Sequence, residues 1–244
     1  MMMGWRGRIG HIRPATGIEG AEEWRTVCPP GVAFADARTI VPKVDADGLR
    51  VMMGQVAEAS RQLATAKVDI IVQCGAPGIF LRGPGYNAEV VAEITAASGG
   101  IPAITMAEAM VEGLRAVGAK RIAMCSTYTD TVNASLERFL EAHQIACKSS
   151  KGLQLTDPYD SSRFGDDVAY KMGREVFNAA GGVGKVDAIA VSCGTFRTFQ
   201  MLQHLENDTG VPVVTSNQAS LWLALRRLGL KDVVPNLGRL WTTA

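Results

Sequence analysis

Two stretches of this chain share one unusual ending. Residues 68–78, VDIIVQCGAPG, and residues 186–196, VDAIAVSCGTF, each carry a Val-Asp pair into a short apolar run that stops on Cys-Gly. Such a run, rich in β-branched residues and bounded by Gly, reads as a fully buried strand. Other landmarks recur in step. Arg8-Ile9 matches Arg121-Ile122, Val68-Asp69 matches Val186-Asp187, and Gly100-Ile101-Pro102 matches Gly210-Val211-Pro212, at separations of 113, 118 and 110 residues. A separation this constant is the mark of an internal duplication.

Each copy alternates strand and helix patterns. The first runs RIGHI (8–12), a helical stretch from Val44 to Ala66, VDIIVQC, NAEVVAEITAAS and IPAIT. The second runs KRIAMCS (120–126), TVNASLERFLEAHQ, SRFGDDVAYKMGREVFNAA, VDAIAVSC and VPVVT. This order predicts α/β architecture: two similar parallel-sheet halves related by a pseudo-two-fold axis, with a cleft between them. Residues 1–113 and 218–244 form the first half and 114–217 the second, the last helix, QASLWLALRRLG, crossing back onto the first.

Ligands of parallel sheets bind where loops leave the carboxyl ends of the strands. Cys74 and Cys193 both fall there, so the duplication points two thiols into one cleft from opposite sides. One thiolate can take a proton from a carbon acid while the other thiol delivers one, inverting the centre. Alternatively a thiolate adds to an activated double bond, which rotates as a single bond before the sulfur is expelled. Ser126, Thr127 and Tyr128 end the strand that opens the second half and suit a carboxylate. A helix N-cap at Thr129 or Asp130 is the competing assignment for that loop. Thr16 and Gly17 occupy the matching loop of the first half, and Gly75 and Gly194 follow the two cysteines.

Lys plus Arg number 25 against 24 for Asp plus Glu, so no field of one sign exists to recruit nucleic acid or an anionic membrane. Five cysteines without C-x-x-C spacing argue against a disulfide framework and against a metal site. The glycines of GAPGIFLRGPG lack the order of a phosphate or dinucleotide loop, so no cofactor is expected. The start of the chain has no apolar leader and no later run reaches the ~18 residues of a membrane span. A cytoplasmic protein with a small-molecule partner is the expectation, its oligomeric state open.

The paired strand-end cysteines, the segment GLRAVGAKRIAMCSTYTDTVNASLERFLEAH, the SCG at 192–194 and VPVVTSNQASLW resemble the aspartate/glutamate racemase superfamily, nearest to arylmalonate decarboxylase and maleate cis-trans isomerase. The resemblance covers essentially the whole chain. It implies a cofactor-independent enzyme acting on a small carboxylate through an enediolate held in an oxyanion hole. By position, Cys193 matches the cysteine that protonates the intermediate, Tyr128 the tyrosine that binds a substrate carboxylate, and Cys74 the first cysteine of the racemases and of maleate isomerase. An alignment anchored on Arg82-Gly83 places Gly75 there instead. The expected activity is isomerisation or racemisation by the pair Cys74 and Cys193. The alternative is an arylmalonate-type decarboxylation with Cys193 as sole proton donor.

Overall fold

In the computed structural model, which describes residues 3–243, the repeated Val-Asp pairs do the same job twice. Asp69 accepts a hydrogen bond from the Arg8 amide at 2.7 Å, and Asp187 accepts from the amides of Lys120 and Arg121 at 3.1 and 2.8 Å. Each carboxylate therefore pins the start of the neighbouring central strand to the strand that it precedes itself.

The first sheet holds β1 (Gly7–Pro14), β2 (Val32–Thr39), β3 (Ile70–Gln73) and β4 (Ala103–Thr105) in the order β2-β1-β3-β4. The second holds β5 (Arg121–Ser126), β6 (Ala146–Gly152), β7 (Ala188–Ser192) and β8 (Val213–Thr215) in the order β6-β5-β7-β8. All pairings within both are parallel, with Ile9 beside Ile70 in one and Ile122 beside Ala188 in the other. The two orders are the same topology, so the predicted fold class of two equivalent α/β halves is what the chain adopts.

Helices cover the sheets: α1 (Glu19–Val27), α2 (Ala46–Met53), α3 (Val56–Thr65), α4 (Pro77–Phe80) and α5 (Tyr86–Ala97), then α6 (Met106–Ala116), α7 (Asp130–Ala142), α8 (Asp166–Ala179), α9 (Leu202–Thr209) and α10 (Ser216–Arg227). The duplication extends to caps. Thr105 receives the Glu108 amide at the start of α6, and Thr215 receives the Gln218 amide at the start of α10, each satisfying a donor that a helix start leaves free. These two helices pack on each other, and α10 also reaches α1 and β3 in the first half. Its residues from Ser216 to Leu225 are all buried, as a helix at the centre of two sheets requires.

Three sequence expectations need correction. The helix from Val44 to Ala66 is two helices, because the Gln55 side chain binds both the amide and the carbonyl of Ile40 as well as the Val51 carbonyl, and Gly54 beside it adds little helical preference. The helix expected from Ser162 starts only at Asp166, after a separate 3-10 turn over Asp160–Arg163. The predicted order also lacks the edge strands β2 and β6. Met1, Met2 and Ala244 lie outside the described residues. Among the described residues no helix is long and apolar enough to cross a membrane.

Candidate active site

Between the two sheets lies a cleft with a free volume of about 60 Å³, room for a small acid. The carboxyl ends of four strands converge on it. Arg13 and Pro14 come from β1, Cys74 from β3, Thr127 and Tyr128 from β5, and Cys193 from β7. Val41, Val44, Leu49, Met52, Leu155 and Pro158 supply an aliphatic wall.

Local structure explains why the cysteines face inward. The Cys74 amide still donates to Ile12 at 2.7 Å, continuing the ladder, and the next residue, Gly75, takes φ +111°, a conformation that L side chains rarely adopt. The chain then turns into α4 with Pro77 in its first turn. On the opposite side α1 approaches the loop after Cys193 so closely that a Cβ on Gly20 would meet the Gly194 carbonyl at 2.3 Å.

Cys193 Sγ is 3.1 Å from Thr195 Oγ1. Tyr128 stands beside it: its hydroxyl accepts from Ser192 Oγ at 3.5 Å and is hydrogen-bonded to the Cys193 side chain. Burial first, and then the neighbouring Cys193, push the Tyr128 phenol well above its ordinary range, so it stays a donor. Thr16, also in the cleft lining, has a buried hydroxyl with no hydrogen-bond partner among the described residues. The amides of Gly75, Ala76, Gly194 and Thr195 likewise meet no acceptor among the described residues. Donors left open around a concave site are what an oxyanion needs.

Cys74 Sγ lies 2.8 Å from Nε2 of His11, a buried side chain on β1. Burial and then Arg13 drive the imidazole down to about 3, so it is neutral near pH 7. Burial pushes the Cys74 thiol up to about 12 against the pull of Arg13.

The cleft lining brings together Cys74, Cys193, Thr16, Gly17, Gly75, Gly194, Thr127 and Tyr128. Ser126 is not among these residues: its hydroxyl donates to Asn133 at 2.6 Å and accepts from the Tyr128 amide at 3.0 Å, holding the loop. Thr129 is the N-cap of α7 but makes no side-chain capping bond. Cys28, Cys125 and Cys147 lie elsewhere, and the apolar side chains of Ile79, Phe80, Leu81, Phe196 and Phe199, which follow the two Cys-Gly turns in sequence, are also outside the lining. Sequence reasoning missed His11 and Arg13. Their signal was legible: two polar residues at spacing two in a central strand share one face.

Comparison with known proteins bears on the same residues. A family model described as arylmalonate decarboxylase matches residues 9–241. The chain belongs to the arylmalonate decarboxylase family. It is 29% identical to the arylmalonate decarboxylase of Bordetella bronchiseptica over 231 residues, 94% of each chain. It is 28% identical to the maleate isomerase of Nocardia farcinica over 244 residues, 96% of this chain and 94% of the relative. A crystal structure of a cysteine-to-serine variant of the Nocardia farcinica maleate cis-trans isomerase, carrying a covalently bound succinylcysteine intermediate, superposes with a TM-score of 0.90 at 24% identity, covering 96% of this chain and 98% of the other. Membership in this family makes the chain an enzyme, and its relatives include both a decarboxylase and isomerases.

A carboxylate behind the Cys193 loop ties the site to pH. Glu23 on α1 accepts from the amides of Thr198 and Phe199 at 2.5 and 2.9 Å and from Asn217 Nδ2 at 2.8 Å. Burial nevertheless raises its pKa from 4.5 to about 7. Between those two values the folded protein binds more protons than the unfolded chain, so stability falls as pH rises across the window and is level above it. The contribution is of order 3 kcal/mol. Glu23→Gln should remove this part of the pH dependence, read as ΔG of unfolding from denaturant titrations on both sides of the window. An unchanged slope would show that Glu23 titrates normally.

Proposed function

We propose that this enzyme is an isomerase of a small carboxylic acid, of the maleate cis-trans kind, working through Cys74 and Cys193. The observation that supports it is that both thiols line one small cleft from equivalent strand ends of opposite halves. Cys74 has charged neighbours and takes the part of the nucleophile. Cys193 has Tyr128 and Thr195 beside it and takes the part of the acid.

In this reading the Cys74 thiolate adds to one alkene carbon, and the displaced π electrons pass to the carboxylate on the other side as an enediolate. Tyr128, Thr16 and the free amides meet that charge. Cys193 then protonates the enediolate carbon, the new single bond rotates, Cys193 takes a proton back, and the sulfur leaves with its electron pair. The succinylcysteine of the Nocardia farcinica enzyme is the intermediate that such a step would form. A second reading, decarboxylation of a substituted malonate with Cys193 as proton donor, is favoured by the aliphatic wall, which suits an apolar substituent.

Incubation in deuterated water with maleate, substituted malonates and single enantiomers of 2-substituted acids separates these. Fumarate formation supports isomerisation. Carbon dioxide release from the malonates without action on maleate would displace that reading by the second, and α-deuteration with loss of chirality would mark a racemase.

Tyr128→Phe removes one hydrogen bond to a charged group while keeping the ring, so about 1.5 to 3 kcal/mol should be lost, roughly 10- to 150-fold in kcat/KM. A loss confined to kcat places the hydroxyl on the charge that grows during reaction, and a loss confined to KM places it on a spectator carboxylate. Intact kinetics with a lowered Tm would take Tyr128 out of the site.

A further inference from the structure

Arg13 is the one charged side chain among the residues lining the cleft, and it is 2% exposed. Its Nε donates to His11 Nδ1 at 3.0 Å, one terminal nitrogen lies 2.5 Å from His11 Nε2, and the other donates to the Gly17 carbonyl at 3.0 Å. The imidazole also stacks on Trp24 at 4.1 Å and 6°. His11 is thus wedged between an indole, a guanidinium and the Cys74 sulfur.

The charge balance around this wedge is incomplete. From β2, Asp36 Oδ1 stands 3.5 Å from His11 Nδ1 and 4.0 Å from Arg13 Nε, while its other oxygen binds Arg25 of α1 at 2.6 Å, and Glu22 shares Arg25 at 2.6 Å. Arg38, also from β2, donates to the Pro14 and Gly17 carbonyls. Three cations therefore face two carboxylates, leaving a surplus of one positive charge while Cys74 is a thiol and none once it is a thiolate. A proton on His11 would worsen the surplus, setting an imidazolium against the guanidinium.

We propose that Arg13, aligned by the imidazole of His11, is the counter-cation of the Cys74 thiolate, a positioning residue that acts on the reaction through the sulfur. In the step it serves, the Cys74 S–H bond breaks, the sulfur keeps the electron pair and the proton leaves to water in the open cleft, with His11, Arg13 and Asp36 unchanged in charge. The proposal deepens the two-cysteine reading, but thiolate formation can be followed without substrate or turnover, so it stands or falls separately from that reading.

Alkylation of Cys74 by iodoacetamide across the neutral and alkaline range, resolved from Cys193 by peptide mass spectrometry, is the test. An opposite charge within about 4–6 Å moves a pKa by one to three units, so Arg13→Gln should slow Cys74 labelling near neutral pH by roughly 10- to 1000-fold. Arg13→Lys should recover part of the loss. Asp36→Asn, which removes the competing carboxylate, should speed Cys74 labelling, and Cys193 should label at the same rate throughout. Unchanged Cys74 labelling in Arg13→Gln, with weaker binding of maleate, would make Arg13 a receptor for substrate and overturn the proposal. Should Arg13→Gln fail to fold, Asp36→Asn decides alone, since a slower or unaltered Cys74 in that variant also overturns it.

Discussion

Cys193→Ala is expected to lose at least about 100-fold in kcat, the lower bound of what a positioned acid or base contributes, whichever of the family's reactions the enzyme performs. In the isomerisation Cys193 supplies and retrieves the proton at the enediolate carbon. In the decarboxylation it supplies the proton that replaces carbon dioxide. Both routes leave an enediolate with no donor once the sulfur is gone, because Tyr128 is held protonated by burial and its phenol is needed on oxygen. The fold should tolerate the change. The side chain is small and 7% exposed at the cleft surface, so removing the sulfur should cost about 1 kcal/mol or less. Steady-state kinetics and a thermal melt on the same preparation check both halves of the expectation. Turnover within a fewfold of wild type would remove Cys193 from the mechanism and with it the case for any proton donor from the second half.

What could be read from the sequence followed from residues whose physics is local. The Val-Asp pairs and Cys-Gly pairs stood out because a buried parallel strand is a continuous apolar run and its end is marked by a turn residue. Edge strands carry no such signature. ACKSSKG in β6 is half solvated, with several positions exposed, and its sequence alone reads as a loop. VAFADART in β2 alternates, but Asp36 and Arg38 interrupt the apolar pattern for reasons visible only when Arg25 and Gly17 lie beside them. The same holds for the cleft. Cys74, Cys193 and Tyr128 follow from their place at strand ends, whereas Leu155, Pro158 and Val44 reach the wall through long loops, helped by a hydrogen bond from the Val44 amide to the Thr156 carbonyl between the halves. His11 and Arg13 were legible as polar residues on one face of a central strand, but nothing in one dimension says that Trp24 and Cys74 enclose them.

Cys74→Ala divides the family's two chemistries. As the nucleophile of an isomerisation Cys74 has no substitute, since the nearest other thiol in the cleft, Cys193, belongs to the opposite half and is committed to the proton. Isomerisation should then fall by about 100-fold or more. A decarboxylation that uses Cys193 alone should survive, because the enediolate is made by loss of carbon dioxide and the sulfur of Cys74 never bonds to carbon. The outcome is sharpened by pH. A thiol pushed up to about 12 by burial reacts only through its ionised fraction, so wild-type isomerisation should gain rate as pH rises through the neutral range, the direction in which thiolate accumulates. A Cys74→Ala enzyme that turns over malonates should lack that rise. Stability offers the control. Cys74 is 2% exposed and touches the His11 wedge, so some loss of Tm is expected from the small cavity, and the kinetic comparison is made well below the melt. Full isomerase activity in folded Cys74→Ala would show that the nucleophile is elsewhere, and the charge arrangement of His11 and Arg13 would then need a reason other than the sulfur it surrounds.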